Sequence, residues 1–285
     1  MLFDNNIIMN DTSLSAENAL RCIQGKARYI FGPDEFARLT GREPASVATK
    51  SALMRLSAAG RIRLALKRPT KWLIVPAEHA HFGAPPIGWW LHDCLHDVEP
   101  GYYLALLSAA RHWGSAHYAR QTTQVMVGTR RINQSVGKLR VEYTYKSDLE
   151  STPVVEVSTQ VSKLRVSTRE ATLLDMLRHQ ASVGGLESIG RVAHDFRDAL
   201  NATGLRAALK AMGQASVAQR LGLVLEVLGQ KEMAQEVEVW LGGRKLSVIP
   251  LETGDVGFGV DSRTTHGRWS VSYHSEQIET LQELA

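Results

Sequence analysis

Cysteine is scarce in this sequence of 285 residues, which contains only Cys22 and Cys94. Two thiols in well-separated segments provide no disulfide framework, so a reducing compartment is expected. Long apolar runs are also missing, because no stretch approaches the roughly 18 residues typical of a membrane-spanning helix. The first ten residues lack the basic start and apolar core of a secretion signal. We therefore expect a cytoplasmic protein that does not bind a membrane.

Signatures of catalysis and metal binding are absent as well. The sequence has no Gly-x-Ser-x-Gly nucleophile elbow, no phosphate-binding loop followed by lysine, and no His-Glu-x-x-His motif. His92, Cys94 and His96 alternate, but the apolar residues around them indicate a packed helix, on which alternate side chains diverge. His112 and His117 are likewise expected to be packing or surface residues. We therefore expect no enzymatic activity, no metal site and no cofactor.

Charge is unevenly distributed along the chain, whose net charge is only +4. Residues 1–75 contain 12 Lys/Arg and 6 Asp/Glu, a net charge of +6, whereas the rest of the chain has a net charge of −2. A basic segment joined to a nearly neutral one is typical of a protein whose smaller part binds a polyanion. On charge alone, a solvated basic face is an equally good interpretation.

The order of predicted elements in residues 1–75 adds a second indication. Apolar periodicity predicts three helices, and the alternation after Gly60 predicts two strands joined by a polar turn. The five elements are predicted at residues 14–23, 33–40, 44–59, 62–66 and 72–75. Three helices followed by a hairpin with a basic tip are typical of a winged helix-turn-helix domain.

The third predicted helix and the hairpin tip supply the candidate DNA-binding residues. One helix face is expected to pack against the second helix and contains Ala45, Ala48, Ala52, Leu56 and Ala59. Another face could read base edges in the major groove and contains Arg42, Ser46, Thr49 and Lys50. The tip could contact phosphates or the minor groove through Lys67, Arg68 and Lys71. Leu53 is assigned to neither face, and protein docking is the alternative function of such a domain.

Beyond residue 75 the composition changes. The segment 76–88 is rich in proline and glycine and is predicted to be a linker, followed by a larger domain at 89–285. Short helices are predicted at 89–97 and 102–113. Further elements are strands at 122–127, 138–145, 154–158 and 163–166, helices at 169–179, 187–200, 204–212, 216–228 and 232–241, and strands at 246–251 and 268–273. The expected fold class is α+β, with an N-terminal winged helix-turn-helix followed by a larger mixed α/β domain rich in helices.

Three motifs of the larger domain resemble the AbiEi antitoxin family. Residues 102–114, Tyr-Tyr-Leu-Ala-Leu-Leu-Ser-Ala-Ala and then His112, Trp113 and Gly114, resemble the opening of its antitoxin domain. Residues 167–177 lead to Gly184-Gly185 as the family's strand and helix lead to its double-glycine turn. Residues 219–229 resemble its late helix. With the preceding winged helix, the resemblance covers about residues 33–241, and 241–285 form an unmatched C-terminal extension.

The resemblance implies an antitoxin of a type IV abortive-infection system for phage defence. Such a protein represses its own promoter, so double-stranded operator DNA is an implied partner. It also opposes a nucleotidyltransferase-like toxin, without a stable complex between the two being implied. Fold alone does not determine function. Two alternatives therefore stay open: a solitary ligand-sensing winged-helix transcription factor and a nucleic-acid-processing enzyme.

Overall fold

The computed structural model describes residues 13–115, 122–254 and 263–285. The chain forms two compact units. The first comprises Met1–Val98, Ser135–Arg140 and Ser158–Lys163, and the second comprises Glu99–Gln134, Val141–Val157 and Leu164–Ala285. Helices occur together with sheets that contain both parallel and antiparallel strand pairs. The fold class is therefore α+β, as expected from the sequence.

The first unit begins with three helices and three strands. They are α1 (Ala16–Gln24), β1 (Ile30–Phe31), α2 (Pro33–Leu39), α3 (Val47–Ala58), β2 (Ile62–Leu66) and β3 (Lys71–Ile74). Strand β3 lies between β1 and β2 and pairs antiparallel with both. Phe31, Phe36, Leu53 and Ile62 are among the side chains of the core that holds these elements together. Strand β1 was not predicted, because two residues carry no detectable periodicity.

Helix α3 differs from its prediction in both its start and its buried face. It begins at Val47 because Ser46 is the N-cap, whose Oγ accepts a hydrogen bond from the backbone N–H of Thr49. The buried residues are Thr49, Ala52, Leu53 and Leu56, whereas Ala45 and Ala48 are exposed. The predicted packing face was therefore wrong at both ends, because the C-cap residue Ala59 is exposed as well.

The segment 76–88 is packed within the first unit. Gly83, Ala84 and Pro85 are buried, and the indole N–H of Trp90 donates to the carbonyl of Pro85 at 3.2 Å. The short helix α4 (Leu91–Leu95) follows. The first unit extends to Val98, so the boundary between the compact units falls after the predicted linker. The two-domain division of function remains a prediction.

A six-stranded sheet provides most of the strands that follow. They are β4 (Tyr103–Leu104), β5 (Thr122–Val127), β6 (Gln134–Val136), β7 (Leu139–Tyr145), β8 (Val154–Ser158) and β9 (Lys163–Ser167), in the order β6-β7-β5-β4-β9-β8. The single helix predicted over 102–113 is wrong. Tyr103 and Leu104 form a strand because β4 pairs antiparallel with β5 and parallel with β9, and α5 (Leu106–His112) begins only after extended Ala105.

Helices form the larger part of the second unit. They are α6 (Arg169–Arg178), α7 (Gln180–Val183), α8 (Gly185–Phe196), α9 (Ala202–Met212), α10 (Ala215–Val227) and α11 (Lys231–Leu241). Side-chain caps at Thr168 and Asn201 determine where α6 and α9 begin. The five predicted helices correspond to α6 and to α8 through α11. The four-residue helix α7 was not predicted separately.

The chain after α11 is an integral part of the second unit. Its elements are β10 (Ile249–Pro250), β11 (Thr264–His266), β12 (Val271–Tyr273) and α12 (Ser275–Gln282), and β12 pairs parallel with β10 and antiparallel with β11. Leu251, Trp269, Val271 and Leu281 are buried in the same core as the helices α6 to α10. Within the part of the chain that the structure describes, no helix is long and apolar enough to cross a membrane.

Candidate functional site

One side of α3 is exposed to solvent in the first unit. Its residues recur at helical spacing and are Val47, Lys50, Ser51, Met54 and Arg55, here called the outer face of α3. Val47 and Met54 are 79% and 62% exposed. Only Lys50 of this set was predicted. Recognising Ser46 as the N-cap and Leu53 as a core residue would have identified the others, because these two choices fix the rotation of the helix.

The other residues predicted on α3 serve its N-terminus. Thr49 is fully buried, and its Oγ1 donates to the carbonyl of Glu43 at 2.8 Å, so it cannot read base edges. Ser46 is half-buried as the N-cap. Arg42 is also half-buried, and its Nη1 has no hydrogen-bond partner among the described residues. The expectation that these side chains share one exposed face with Lys50 is corrected for Thr49, because helix rotation turns it inward.

The hairpin between β2 and β3 separates its three predicted basic residues. Lys67 and Arg68 are exposed in the turn. For Lys50, Lys67 and Arg68, the described parts of the chain provide no ion pair and no side-chain hydrogen bond. Lys71 is buried, and its Nζ lies 2.9 Å from Asp97 Oδ2 and 3.0 Å from the carbonyl oxygen of Asp93. The predicted position of Lys71 at the tip is therefore corrected, since a paired and buried ammonium is unavailable to phosphate.

A polar cleft of about 740 Å³ lies beside Lys71 in the first unit. The charged residues that line it include Lys26, Arg28, Asp34, Asp93 and Asp97. Arg28 makes a bidentate ion pair with Glu35, at 2.6 and 2.9 Å. The hydrogen bond from Lys71 is the main reason that the pKa of Asp97 is lowered. Arg28, Lys71 and Asp97 thus already have partners of opposite charge within the protein.

The alternating His92, Cys94 and His96 do not converge. Cys94 is fully buried in α4 and its Sγ lies 3.8 Å from the carbonyl oxygen of Ala65, whereas the rings of His92 and His96 stack on each other at 4.9 Å. Among the described residues no group of three His, Cys, Asp or Glu side chains could hold a metal ion. His112 is exposed beside Trp113, and His117 lies outside the described residues.

The second unit contains a buried polar network around Lys146 and Asp175, which are 2% and 0% exposed. The Nζ of Lys146 donates to Asp175 Oδ1 at 2.9 Å, to Thr152 Oγ1 at 2.7 Å and to the hydroxyl of Tyr103 at 3.1 Å. That hydroxyl donates to Asp175 Oδ2 at 2.8 Å. Burial, followed by the charge of Asp175, raises the pKa of Tyr103 well above its usual value. All three ammonium protons of Lys146 are donated in hydrogen bonds within the protein, so the network has a structural role.

A known protein family matches the part of the chain that contains this buried network. Residues 103–227 match the family model described as the AbiEi antitoxin C-terminal domain. Over these residues the chain is similar to the AbiEi antitoxin family, and the matched segment is called the AbiEi domain after it. The resemblance drawn from its motifs is therefore confirmed over β4 to α10. Helix α11, strands β10 to β12 and helix α12 lie outside the match, although they complete the same compact unit.

The crystal structure of the RV2827C protein from Mycobacterium tuberculosis has a similar fold. The two structures align with a TM-score of 0.65 over 96% of each chain, at 17% sequence identity. Since the identity is this low, the likeness concerns the fold alone. No curated protein sequence matches the chain significantly.

Buried hydrogen bonds connect the first two motifs that carried the resemblance, and they connect the third motif to the C-terminal segment. Tyr103 of the first motif donates to Asp175 of the second. Gln219 of the third donates to the carbonyls of Ser247 and Trp269, and Arg220 donates to the carbonyl of Pro250. The third motif thus holds the C-terminal segment in place. None of these pairings could be read from the sequence, because the partners are far apart in it.

His179, at the end of α6, gives the AbiEi domain a predicted pH dependence. Burial lowers the pKa of His179, partly offset by nearby Asp175. The unfolded chain therefore takes up a proton near pH 6.5 that the folded domain resists, so the unfolding free energy falls as pH drops below about 6.5 and levels off once the folded domain is also protonated. We expect His179→Gln to flatten this decline. Urea unfolding at pH 7.5, 6.5 and 5.5 measures this decline in the unfolding free energy, and His81→Gln, at an exposed histidine, is the control. An equally steep decline in the two variants would contradict the prediction.

Proposed function

We propose that the protein is an antitoxin that also represses its own promoter. In this proposal the first unit binds operator DNA as a winged helix-turn-helix, and the AbiEi domain opposes a toxin. The observation that carries the DNA-binding part is the presence in one unit of an exposed helix face and an exposed basic turn. The family match supports the antitoxin part.

The element order of the first unit supports the winged helix-turn-helix assignment. Helices α2 and α3 are joined by a short connection, and the antiparallel strands β2 and β3 follow α3 directly. In this assignment α3 is the recognition helix and the β2–β3 hairpin is the wing. An α-helix fits the major groove of B-DNA, where side chains reach base edges.

The geometry of the first unit leads to a revised assignment of the seven candidate residues. Lys50 is assigned to base edges or phosphates from α3, and Lys67 and Arg68 to phosphates from the wing. Arg42 and Ser46 are assigned to the start of the recognition helix, where backbone N–H groups favour anions. Thr49 and Lys71 have structural roles, as their buried hydrogen bonds indicate.

The toxin is proposed from the family alone. An AbiEi antitoxin domain implies a toxin partner, and a nucleotidyltransferase-like toxin of a phage-defence system is the partner that the resemblance suggests. A regulator without catalytic activity and without a stable toxin complex fits this scheme. The polar cleft of the first unit favours a second candidate, a winged-helix regulator that senses a small polar ligand. An adjacent toxin gene supports the first function, and an adjacent metabolic operon supports the second.

Lys50→Glu is expected to abolish operator binding while leaving antitoxicity intact. An acid on the outer face of α3 is repelled by phosphates and base acceptors, so affinity for the promoter fragment should fall at least about tenfold. The AbiEi domain does not contain this residue, so the variant should still rescue growth beside the cognate toxin when expressed from an independent promoter. Mobility shifts across a salt series and growth scored in parallel measure the two activities.

Lys210→Glu is the matched control, because it makes the same charge change at an exposed lysine of the second unit. It should alter neither operator affinity nor the salt dependence that phosphate contacts produce. Lys67→Ala with Arg68→Ala should weaken operator and random DNA alike and reduce the salt dependence. Loss of rescue in a folded Lys50→Glu protein would mean that antitoxicity requires DNA binding. Unchanged DNA binding would contradict the recognition-helix assignment.

A further inference from the structure

Two apolar side chains on the outer face of α3 are exposed to solvent. Val47 is 79% exposed and Met54 is 62% exposed, while the core side of the helix is occupied by Ala52, Leu53 and Leu56. Neither Val47 nor Met54 contributes to that core. Burial within the folded unit therefore does not account for either residue.

Local helix energetics do not account for Val47 either. It is the first residue of α3, directly after the N-cap Ser46. Valine loses side-chain freedom in a helix and ranks low among helix formers. At this position proline and acidic residues are the favourable choices, because of their backbone preference and the helix dipole. An exposed valine here is thus unfavourable for folding in isolation and suitable for a contact with another molecule.

The spacing of the two residues matches a DNA groove. Positions 47 and 54 are seven residues apart, so they lie on one side of the helix about 10 Å apart along its axis. This corresponds to roughly three base pairs, at about 3.4 Å for each step. Lys50 and Ser51 lie between them, and Arg55 follows Met54. The charged groups of the outer face are all cationic, which complements DNA and disfavours a second copy of the same face.

We propose that the outer face of α3 recognises thymine methyl groups, with Val47 as the principal contact and Met54 as a second, more adaptable one. This inference rests on the proposed DNA-binding function and specifies its sequence preference. In the major groove, thymine is the one base with a C5-methyl group, and apolar side chains distinguish it by contact. Lys50 and Ser51 then read polar groups of the operator, and Val47 and Met54 contact the methyl groups of its T·A pairs.

The test compares thymine with uracil in the same operator. The promoter fragment of the protein's own gene is amplified with dTTP or with dUTP, and both duplexes are titrated with the full-length chain. Removing one buried methyl group is expected to weaken binding about fourfold. Val47→Ala should weaken binding to the thymine duplex and reduce the thymine-to-uracil ratio to less than about twofold, because the alanine side chain is too short to reach the methyl group.

Two controls separate contact from general effects. Val239→Ala removes an exposed valine of the second unit, 64% exposed, and should preserve the full ratio. Random-sequence duplexes with thymine or uracil should bind equally, which accounts for any change in DNA flexibility. A double-mutant cycle that combines Val47→Ala with the replacement of thymine by uracil then isolates the coupling energy between the Val47 side chain and the methyl groups.

The outcomes distinguish this inference from the function on which it rests. If the full chain shows no preference for any promoter fragment, the proposed DNA-binding function fails. If it binds its operator specifically but with equal affinity for thymine and uracil, or if Val47→Ala and uracil act additively, the methyl-recognition inference is overturned while DNA binding stands. A change of oligomeric state in Val47→Ala without a change in DNA affinity would assign this face to protein contacts and also overturn it.

Discussion

Asp175→Ala is expected to destabilise the second unit by about 3–5 kcal/mol, because removal of one partner leaves a buried charge without compensation. The Nζ of Lys146 would keep only the hydroxyls of Thr152 and Tyr103 as acceptors. The Tyr103 hydroxyl would also lose the carboxylate to which it donates. The AbiEi domain is therefore expected to unfold at a much lower urea concentration than the unaltered chain. Far-UV circular dichroism and tryptophan fluorescence, recorded in the same titration, measure the change.

Two further variants show whether the lost charge pair causes this effect. Replacing both partners, with Lys146→Met and Asp175→Leu together, should recover part of the stability, because no buried charge is left without a partner, although the Tyr103 hydroxyl still loses its acceptor. Glu236→Ala removes one partner of the exposed pair with Arg206 and should cost at most about 1 kcal/mol. A small effect of Asp175→Ala, comparable with that of Glu236→Ala, would show that the buried pair contributes little.

Trp269→Ala is expected to cost about 3–5 kcal/mol, the range for truncating a large aromatic side chain in a core. Trp269 is fully buried, and its indole N–H donates to Glu226 Oε2 at 2.8 Å. Its ring packs against Gly222 of α10 so closely that a Cβ atom at residue 222 would lie 2.2 Å from Trp269 Cζ3. Gly222→Ala should therefore destabilise the same contact through overpacking.

This prediction tests whether the segment after α11, which lies beyond the family match, is needed for the stability of the AbiEi domain. Trp240→Ala is the matched control, because Trp240 is half-buried in α11 and lies under the guanidinium of Arg244 at 4.1 Å. It should cost clearly less than Trp269→Ala in the same urea titration. A cost of Trp269→Ala below about 1 kcal/mol would contradict a stabilising role of the C-terminal segment.

Local sequence signals determined most of the helices and several strands. Thr168 and Asn201 each precede a periodic apolar segment and cap the helices that begin at Arg169 and Ala202. The strands at 62–66 and 122–127 were predicted with their observed bounds. The AbiEi resemblance also came from local motifs. In each case the information resides in residues close together in the chain, where capping, periodicity and spacing act directly.

Tertiary structure alone decided which side of each element is buried and which charges are paired. Tyr103 and Leu104 have an apolar pattern that fits a helix, and become a strand only because β5 and β9 pair with them. Lys71 looks like a wing residue until Asp97, 26 positions away, becomes its partner. The rotation of α3 about its axis buries Thr49, which was predicted on an outer face, and exposes Val47, which was assigned to neither face. Such outcomes depend on partners distant in sequence, whose burial and electrostatic energies exceed the local preferences.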